Sequence, residues 1–195
     1  MVSFWKKGGA GAGEAAAPPP ATTLTASRLM ADLLSGLPRR AAPGSSPRVL
    51  LSGPPSGTTI ETFHALGCRV TVAGDDRPTS PLAIEDKSVD LVLGWDTLDL
   101  LDGKDARIVA AEWARVIRPS GGLYLLARQD KTILPPPWRV DVQPEGSLRL
   151  VPTADGTREI HPRQNREIEE IVRPLALRDI FLRKGGLREI LCRRT

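Results

Sequence analysis

Asp96 and Asp99 stand three positions apart in GWDTLDLLD, directly after the apolar run SVDLVLG. A carboxylate at the end of a buried strand can take a proton from a hydroxyl or amine, so both are candidates for a general base. Asp96 fits the N-cap of a following helix equally well. Trp95, just before them, offers a face that stacks on a ligand or a cap for the edge of the core. A second set lies in VLLSGPPSG, Val49 to Gly57. It reads as a buried strand running into a tight loop, in which Gly53 and Gly57 let the backbone approach a ligand. Pro55 sits between them, with φ fixed near −65° and no N–H to donate. His64 reads as a surface histidine, and His161 has no evident partner. Cys68 and Cys192 are far apart in apolar contexts with no CxxC, which points to two buried thiols and no metal site. GxSxG, HExxH and Walker loops are absent, so hydrolase, zinc-protease and P-loop readings have no support.

The elements that would position these residues alternate. TASRLMADLLSGL carries leucines on a helical stripe; Thr23 or Thr25 serves as N-cap, and Gly36 and Pro38 as the stop. RVLLSG predicts a strand. TIETFHAL predicts a short helix with a Thr58/Glu61 capping box. CRVTVAG and SVDLVLGW predict two further strands, the latter apolar throughout as when both faces are covered. DARIVAAEWARVIR is a strong helix, PSGG its stop and LYLLAR a fourth strand. Such alternation means an α/β fold, a mostly parallel sheet with helices on both faces. Ligands in such folds bind beyond the carboxyl ends of the strands. There GPPSG, GDD and GWD converge.

After this the character changes. DKTILPPPW is a stiff connector, and WRVDVQPEGSLRLVP reads as a β-hairpin, Trp138 to Pro152. NREIEEIVRPLALRDIFLRKGG predicts one or two helices broken near Pro174, and LREILCRR a closing strand. The 195 residues are 41% hydrophobic with a net charge of +4. That suits one domain, residues 23–195, behind a Gly/Ala/Pro-rich tail, residues 1–22, expected to be disordered. Charges are interspersed rather than clustered, so no nucleic-acid patch is indicated. No apolar run reaches the roughly 18 residues of a transmembrane helix, and the expected setting is cytoplasmic.

PLAIEDKSVDLVLGWDTLDLL followed by EWARVIRPSGGLYLLAR resembles class I S-adenosylmethionine-dependent methyltransferases of the type 11 kind. Ser88, Asp90, Glu112, Arg115, Val116, Pro119, Gly121 and Gly122 fall on the matching positions, and LRDIFLRKGGLREILCRR is similar to the family's late helix–strand unit. The resemblance implies a Rossmann-like fold and a cofactor loop at Gly53–Gly57. It also implies a ribose-binding acid at the end of the second strand. By register that place is Gly74; Asp75, one residue on, is the candidate, with a solvated turn acid as the other reading.

Departures from the family pattern are equally specific. Leu51 stands where the first motif carries an acid, and Pro55 where it carries a glycine. Only DRPTSP separates Asp75 from Leu82, so one βα unit is missing after the second strand, and Pro78 lies near the position of the adenine-contacting acid. The resulting expectation is a methyltransferase-like domain with weakened or lost S-adenosylmethionine binding, serving as a binding or scaffold module. S-adenosylmethionine is a possible cofactor, and no cofactor is the preferred reading. The partner would be a protein meeting the hairpin Trp138–Pro152. The alternative is an active methyltransferase on an unknown acceptor, which needs positioning more than a catalytic dyad.

Overall fold

The computed structural model describes residues 22–24, 26–40, 45–73, 81–129, 138–152, 159–183 and 186–194. Asp75, Gly74, Pro78 and nearly all of the N-terminal tail fall outside them. The main sheet has six strands in the order β3-β2-β4-β5-β9-β8. They are β2 (Arg48–Ser52), β3 (Arg69–Ala73), β4 (Val89–Trp95), β5 (Ile117–Arg128), β8 (Ala176–Leu182) and β9 (Leu187–Arg193). β2 pairs in parallel with β3 and β4, and β4 with β5. β9 runs antiparallel to both β5 and β8. Seven consecutive buried residues in β4 reflect cover on both faces.

One face packs under α1 (Arg28–Arg40) and α2 (Gly57–Ala65), the other under α3 (Gly103–Val116) and α4 (Asn165–Ile171). Leu33, Phe63, Leu51, Leu93 and Tyr124 belong to the first core; Trp113, Val109, Val92 and Leu125 to the second. Gly94 is needed where β4 crosses α3, because a Cβ there would lie 2.8 Å from both Leu125 Cδ2 and Trp113 Cη2. Among the described residues no strand or helix lies between β3 and β4, which leaves β3 at the sheet edge.

The residues matched to the family pattern act as braces. Asp90 accepts from the Arg48 N–H at 2.8 Å and pairs with Arg118 at 2.5 Å, tying β4 to its two neighbours. Arg115 donates to the carbonyls of Ile84 at 2.8 Å and Leu82 at 3.0 Å, while Glu112 accepts from the Leu82 N–H at 2.9 Å. Their hydrogen-bonded contact holds the Glu112 carboxyl below its ordinary range. Together they clamp residues 81–88 to α3. Arg115→Ala should cost about 1–3 kcal/mol by stripping two carbonyls and Glu112 of their donor. Chemical denaturation measures it, and no change would show that the clamp carries no stability.

Several expectations are corrected. The cap of α1 is Ser27, whose Oγ accepts from the Met30 N–H at 2.9 Å; Thr23 instead lies in β1 (Thr22–Leu24). The helix also continues through Pro38 to Arg40, since a proline in the last turn forfeits one bond and the chain ends the helix soon after. Ser56, not Thr58, caps α2, accepting from the Thr59 N–H at 3.2 Å. PSGG does not precede the fourth strand but lies inside β5, where Ser120 takes φ 65°. The late helix–strand unit is two strands. Ala176–Leu182 pairs with β9, and that tertiary partner overrides the local helical pattern.

The hairpin is present as β6 (Trp138–Val142) and β7 (Leu148–Pro152), but it does not stand apart as a free surface. With β1 it forms a separate three-stranded sheet, order β1-β7-β6. Trp138, Val140, Val142, Leu148 and Leu150 are buried in the first core. Its turn rests on α1: Gly146, at φ 87°, would place a Cβ 2.6 Å from the Ala31 backbone nitrogen. A partner at this hairpin would meet only its outward side chains, such as Arg149.

Candidate functional site

The loop after β2, the end of β4 and the hairpin meet at the carboxyl edge of the sheet. Gly53 takes φ 113°, a conformation that a side chain rarely adopts. Pro55 is exposed and is not among the residues with positive φ. The middle of the loop therefore does not use a glycine-like conformation, and proline fits it without strain. Leu51 is 2% exposed and belongs to the core.

Trp95 faces this loop. A bulge between Leu93 and Trp95, with Trp95 itself at φ 43°, swings the indole over the first face of the sheet. A bulky residue in that region is strained and is held there by its surroundings. The ring packs edge-on against Tyr124, centroids 5.9 Å apart at 79°. A Cβ built on Gly53 would lie 3.5 Å from Trp95 Cδ1. The indole thus faces the loop glycine with room for about one methyl group between them, and only 4% of Trp95 is exposed.

The hairpin closes the loop from its other side. Ser56 Oγ donates to Asp141 Oδ1 at 2.6 Å, and Arg139 Nε donates to the same oxygen at 3.0 Å. Thr59 Oγ1 donates to the Val140 carbonyl at 2.8 Å and accepts from the Val142 N–H at 2.9 Å. Thr62 Oγ1 donates to the Val142 carbonyl at 2.8 Å. Three hydroxyls along α2, from its cap Ser56 to Thr62, therefore receive the hairpin much as a sheet edge receives a strand. Asp141 sets a carboxylate beside the helix N-terminus, where an anion is favoured. Gly57, the first residue of α2, is exposed.

Asp96 and Asp99 are both turned inward. Asp96 is at the N-cap of the 3-10 turn Thr97–Leu100 but makes no side-chain cap bond. Its Oδ2 accepts from Arg128 Nη2 at 2.9 Å, a pair with side chains 0% and 5% exposed. The Arg128 guanidinium also lies 4.3 Å from the centroid of the Trp138 ring, so the hairpin lids the ion pair. Asp99 Oδ2 accepts from the Arg128 N–H at 2.6 Å, and its buried Oδ1 has no partner. Burial lifts the Asp99 carboxyl to about 7, against the lowering effect of the Arg128 N–H. Arg163 donates to the carbonyls of Leu98 and of Leu101, and Arg188 to those of Arg128 and Arg163. The His161 N–H donates to the Asp99 carbonyl at 2.7 Å. These buried arginines and Trp138 escaped sequence reasoning; the only available signal was that Arg128 ends a wholly apolar strand.

A raised carboxyl stabilises the fold while it is protonated. The folded protein binds the proton more tightly than the unfolded chain, so this contribution is complete below about pH 4 and is lost as pH rises toward 7. For Asp99 the loss is on the order of 2–4 kcal/mol. Asp99→Asn should keep the acceptor for the Arg128 N–H and flatten that part of the profile. Urea melts of both proteins between pH 4 and 8 test this; parallel profiles would show that another group is responsible.

Other candidates lie elsewhere. His64 is exposed, on a shallow groove of about 520 Å³ that also includes Cys68 and Arg69. Burial pushes the Cys68 thiol up to about 11 and the Cys192 thiol to about 12, so both are protonated at neutral pH. Among the described residues no group of three or more His, Cys, Asp or Glu is placed to hold a metal ion. None of their helices is long and apolar enough to cross a membrane.

Strand order, crossovers and the position of the loop define the fold of class I S-adenosylmethionine-dependent methyltransferases. The solved structures that it resembles agree. A Mesorhizobium loti S-adenosylmethionine-dependent methyltransferase aligns with TM-score 0.52 at 12% identity, over 84% of this chain and 98% of its own. A Pyrococcus horikoshii protein aligns at 0.54 and 13%, over 86% and 90%. A putative type 11 methyltransferase from Sulfolobus solfataricus aligns at 0.52 and 14%, over 78% and 86%. At such identities the likeness is one of fold. No protein-family profile matches the chain, and no curated protein matches it in sequence.

Proposed function

We propose that this protein is a methyltransferase fold converted to a non-catalytic binding module, its cofactor cleft filled by its own side chains. One observation carries the reading: the hairpin is bonded along the start of α2, directly after the glycine loop, through Ser56, Thr59 and Thr62. The residues present do not fit S-adenosylmethionine. Trp95 stands in front of Gly53 with room for about one methyl group between them, Asp141 takes the Ser56 hydroxyl, and Asp96 is paired with Arg128. A ligand entering here would have to displace a buried indole and part of the core. No methyl-transfer step is therefore assigned to Asp96 or Asp99.

Calorimetric titration with S-adenosylmethionine and S-adenosylhomocysteine at about 1 mM should give no binding heat and no change in melting temperature. A ligand at a hundredfold excess over its dissociation constant would stabilise the fold by about 2.7 kcal/mol. For a chain of this size that is roughly 5–10 °C. A shift of that order would overturn the reading and restore the catalytic one.

A further inference from the structure

The sheet ends in β8, and this edge does not look like an edge that avoids company. Natural edge strands are blunted with charge, proline or cover. Here Ile180, Phe181 and Leu182 are 40%, 44% and 67% exposed. They are consecutive, while the other exposed large apolar residues among those described, Val72 and Ile108, stand singly. The backbone is also ready to pair. The Arg183 N–H donates inward to the Leu187 carbonyl at 2.7 Å. Strand alternation then turns the N–H and C=O of Ile180 and Leu182 outward, away from β9.

We propose that β8 pairs antiparallel with β8 of a second copy of this chain, about a two-fold axis through Phe181, joining two sheets into one. Three features select a second copy. In that register Ile180 of each copy opposes Leu182 of the other, so the outward groups exchange about four main-chain hydrogen bonds. Phe181 opposes itself in the close, non-hydrogen-bonded position, and Asp179 comes opposite Arg183 of the second copy, whose guanidinium is held by Glu189 at 2.9 Å and by the Ala26 carbonyl at 3.0 Å. Shifting the register so that Ile180 opposes itself would instead set the charged Asp179 against Phe181. Finally, the groove of about 440 Å³ beside Phe181 carries Asp32 and Asp179 together with Arg178 and Arg193 on a floor that includes Leu33. A surface with balanced charges complements itself under two-fold symmetry, and it does not select a strongly charged partner.

Sedimentation equilibrium over about 1–300 μM tests the proposal. The wild-type chain should show a reversible monomer–dimer equilibrium. Leu182→Lys, at a position already two-thirds exposed, should weaken it by about tenfold or more, since two like charges enter the pairing. Val72→Lys, on the opposite edge, should leave it unchanged. Phe181→Cys should form an intermolecular disulfide under mild oxidation. Asp179→Cys should not, because its two copies lie roughly 13 Å apart in this register, beyond disulfide reach. A chain that stays monomeric to 300 μM overturns the proposal and leaves the edge to a strand from a different protein. A dimer indifferent to Leu182→Lys overturns it as well, as does cross-linking at Asp179→Cys instead of Phe181→Cys.

Discussion

Arg128→Met is expected to destabilise the protein by about 3–5 kcal/mol, lowering the melting temperature by roughly 10–15 °C. Arg128 is fully buried, and its guanidinium is placed between Asp96 and the face of Trp138. Methionine fills much of the same volume, so little of the loss comes from packing. The dominant cost is Asp96, left charged at 4% exposure without its counter-ion. The companion Arg128→Met/Asp96→Leu removes both charges and should recover most of the stability, because the penalty belongs to a buried carboxylate that has lost its counter-ion. Thermal and denaturant melts of the three proteins separate these outcomes. A double variant as unstable as the single one would mean that the guanidinium acts through Trp138 rather than through Asp96.

The second large effect is expected at Gly146. Gly146→Ala places a methyl group against the nitrogen, Cα and Cβ of Ala31 at 2.6–2.8 Å, in a backbone with φ 87°. Strain in that region costs about 1–3 kcal/mol, and an overlap with helix backbone that cannot rotate away costs about 1–3 more. The total is about 3 kcal/mol or more, concentrated where the hairpin turn meets α1. Hydrogen exchange should show the loss first in the amides of residues 138–152 and at the start of α2, which the hairpin binds. Uniform loss across the main sheet would instead mean that the hairpin and the sheet unfold as one unit. If the hairpin is what closes the cleft, loosening it alone should still not produce S-adenosylmethionine binding, since Trp95 remains in front of Gly53.

Both effects arise from residues whose roles are invisible in one dimension. Arg128 reads as the polar end of LYLLAR, and Gly146 as the turn glycine of PEGS. In the fold each is fixed by something more than thirty positions away in the chain, Asp96 in one case and Ala31 in the other. Asp96 shows the same limit from the other side. Its local sequence supports an N-cap or a base, yet a buried guanidinium is the stronger partner for a carboxylate than an amide at the start of the short 3-10 turn Thr97–Leu100. Trp95 was legible as either a stacking face or a core cap; the bulge that turns it onto Tyr124 belongs to the pairing of β4 with β5 and to nothing in GWD itself. β8 went the same way. In LALRDIFL, Leu177, Ile180 and Phe181 follow the i, i+3, i+4 spacing of a helix, but the hydrogen bonds offered by β9 outweigh a propensity worth tenths of a kcal/mol per residue.

What the sequence by itself determined is the frame. The apolar runs at Val49–Ser52 and Val89–Trp95, the striped helix around Trp113 and the turn glycines are local signals, set by periodicity and backbone sterics. They were enough for the parallel sheet, its covered faces, the hairpin and the absence of a βα unit between the described β3 and β4. The tertiary structure alone decided which side chains meet around the loop. Whether Trp95, Asp141 and Arg128 face a ligand or one another depends on burial and on contacts between distant segments. A charge or hydroxyl buried at that convergence has to find its partner within the chain, and here the hairpin supplies it.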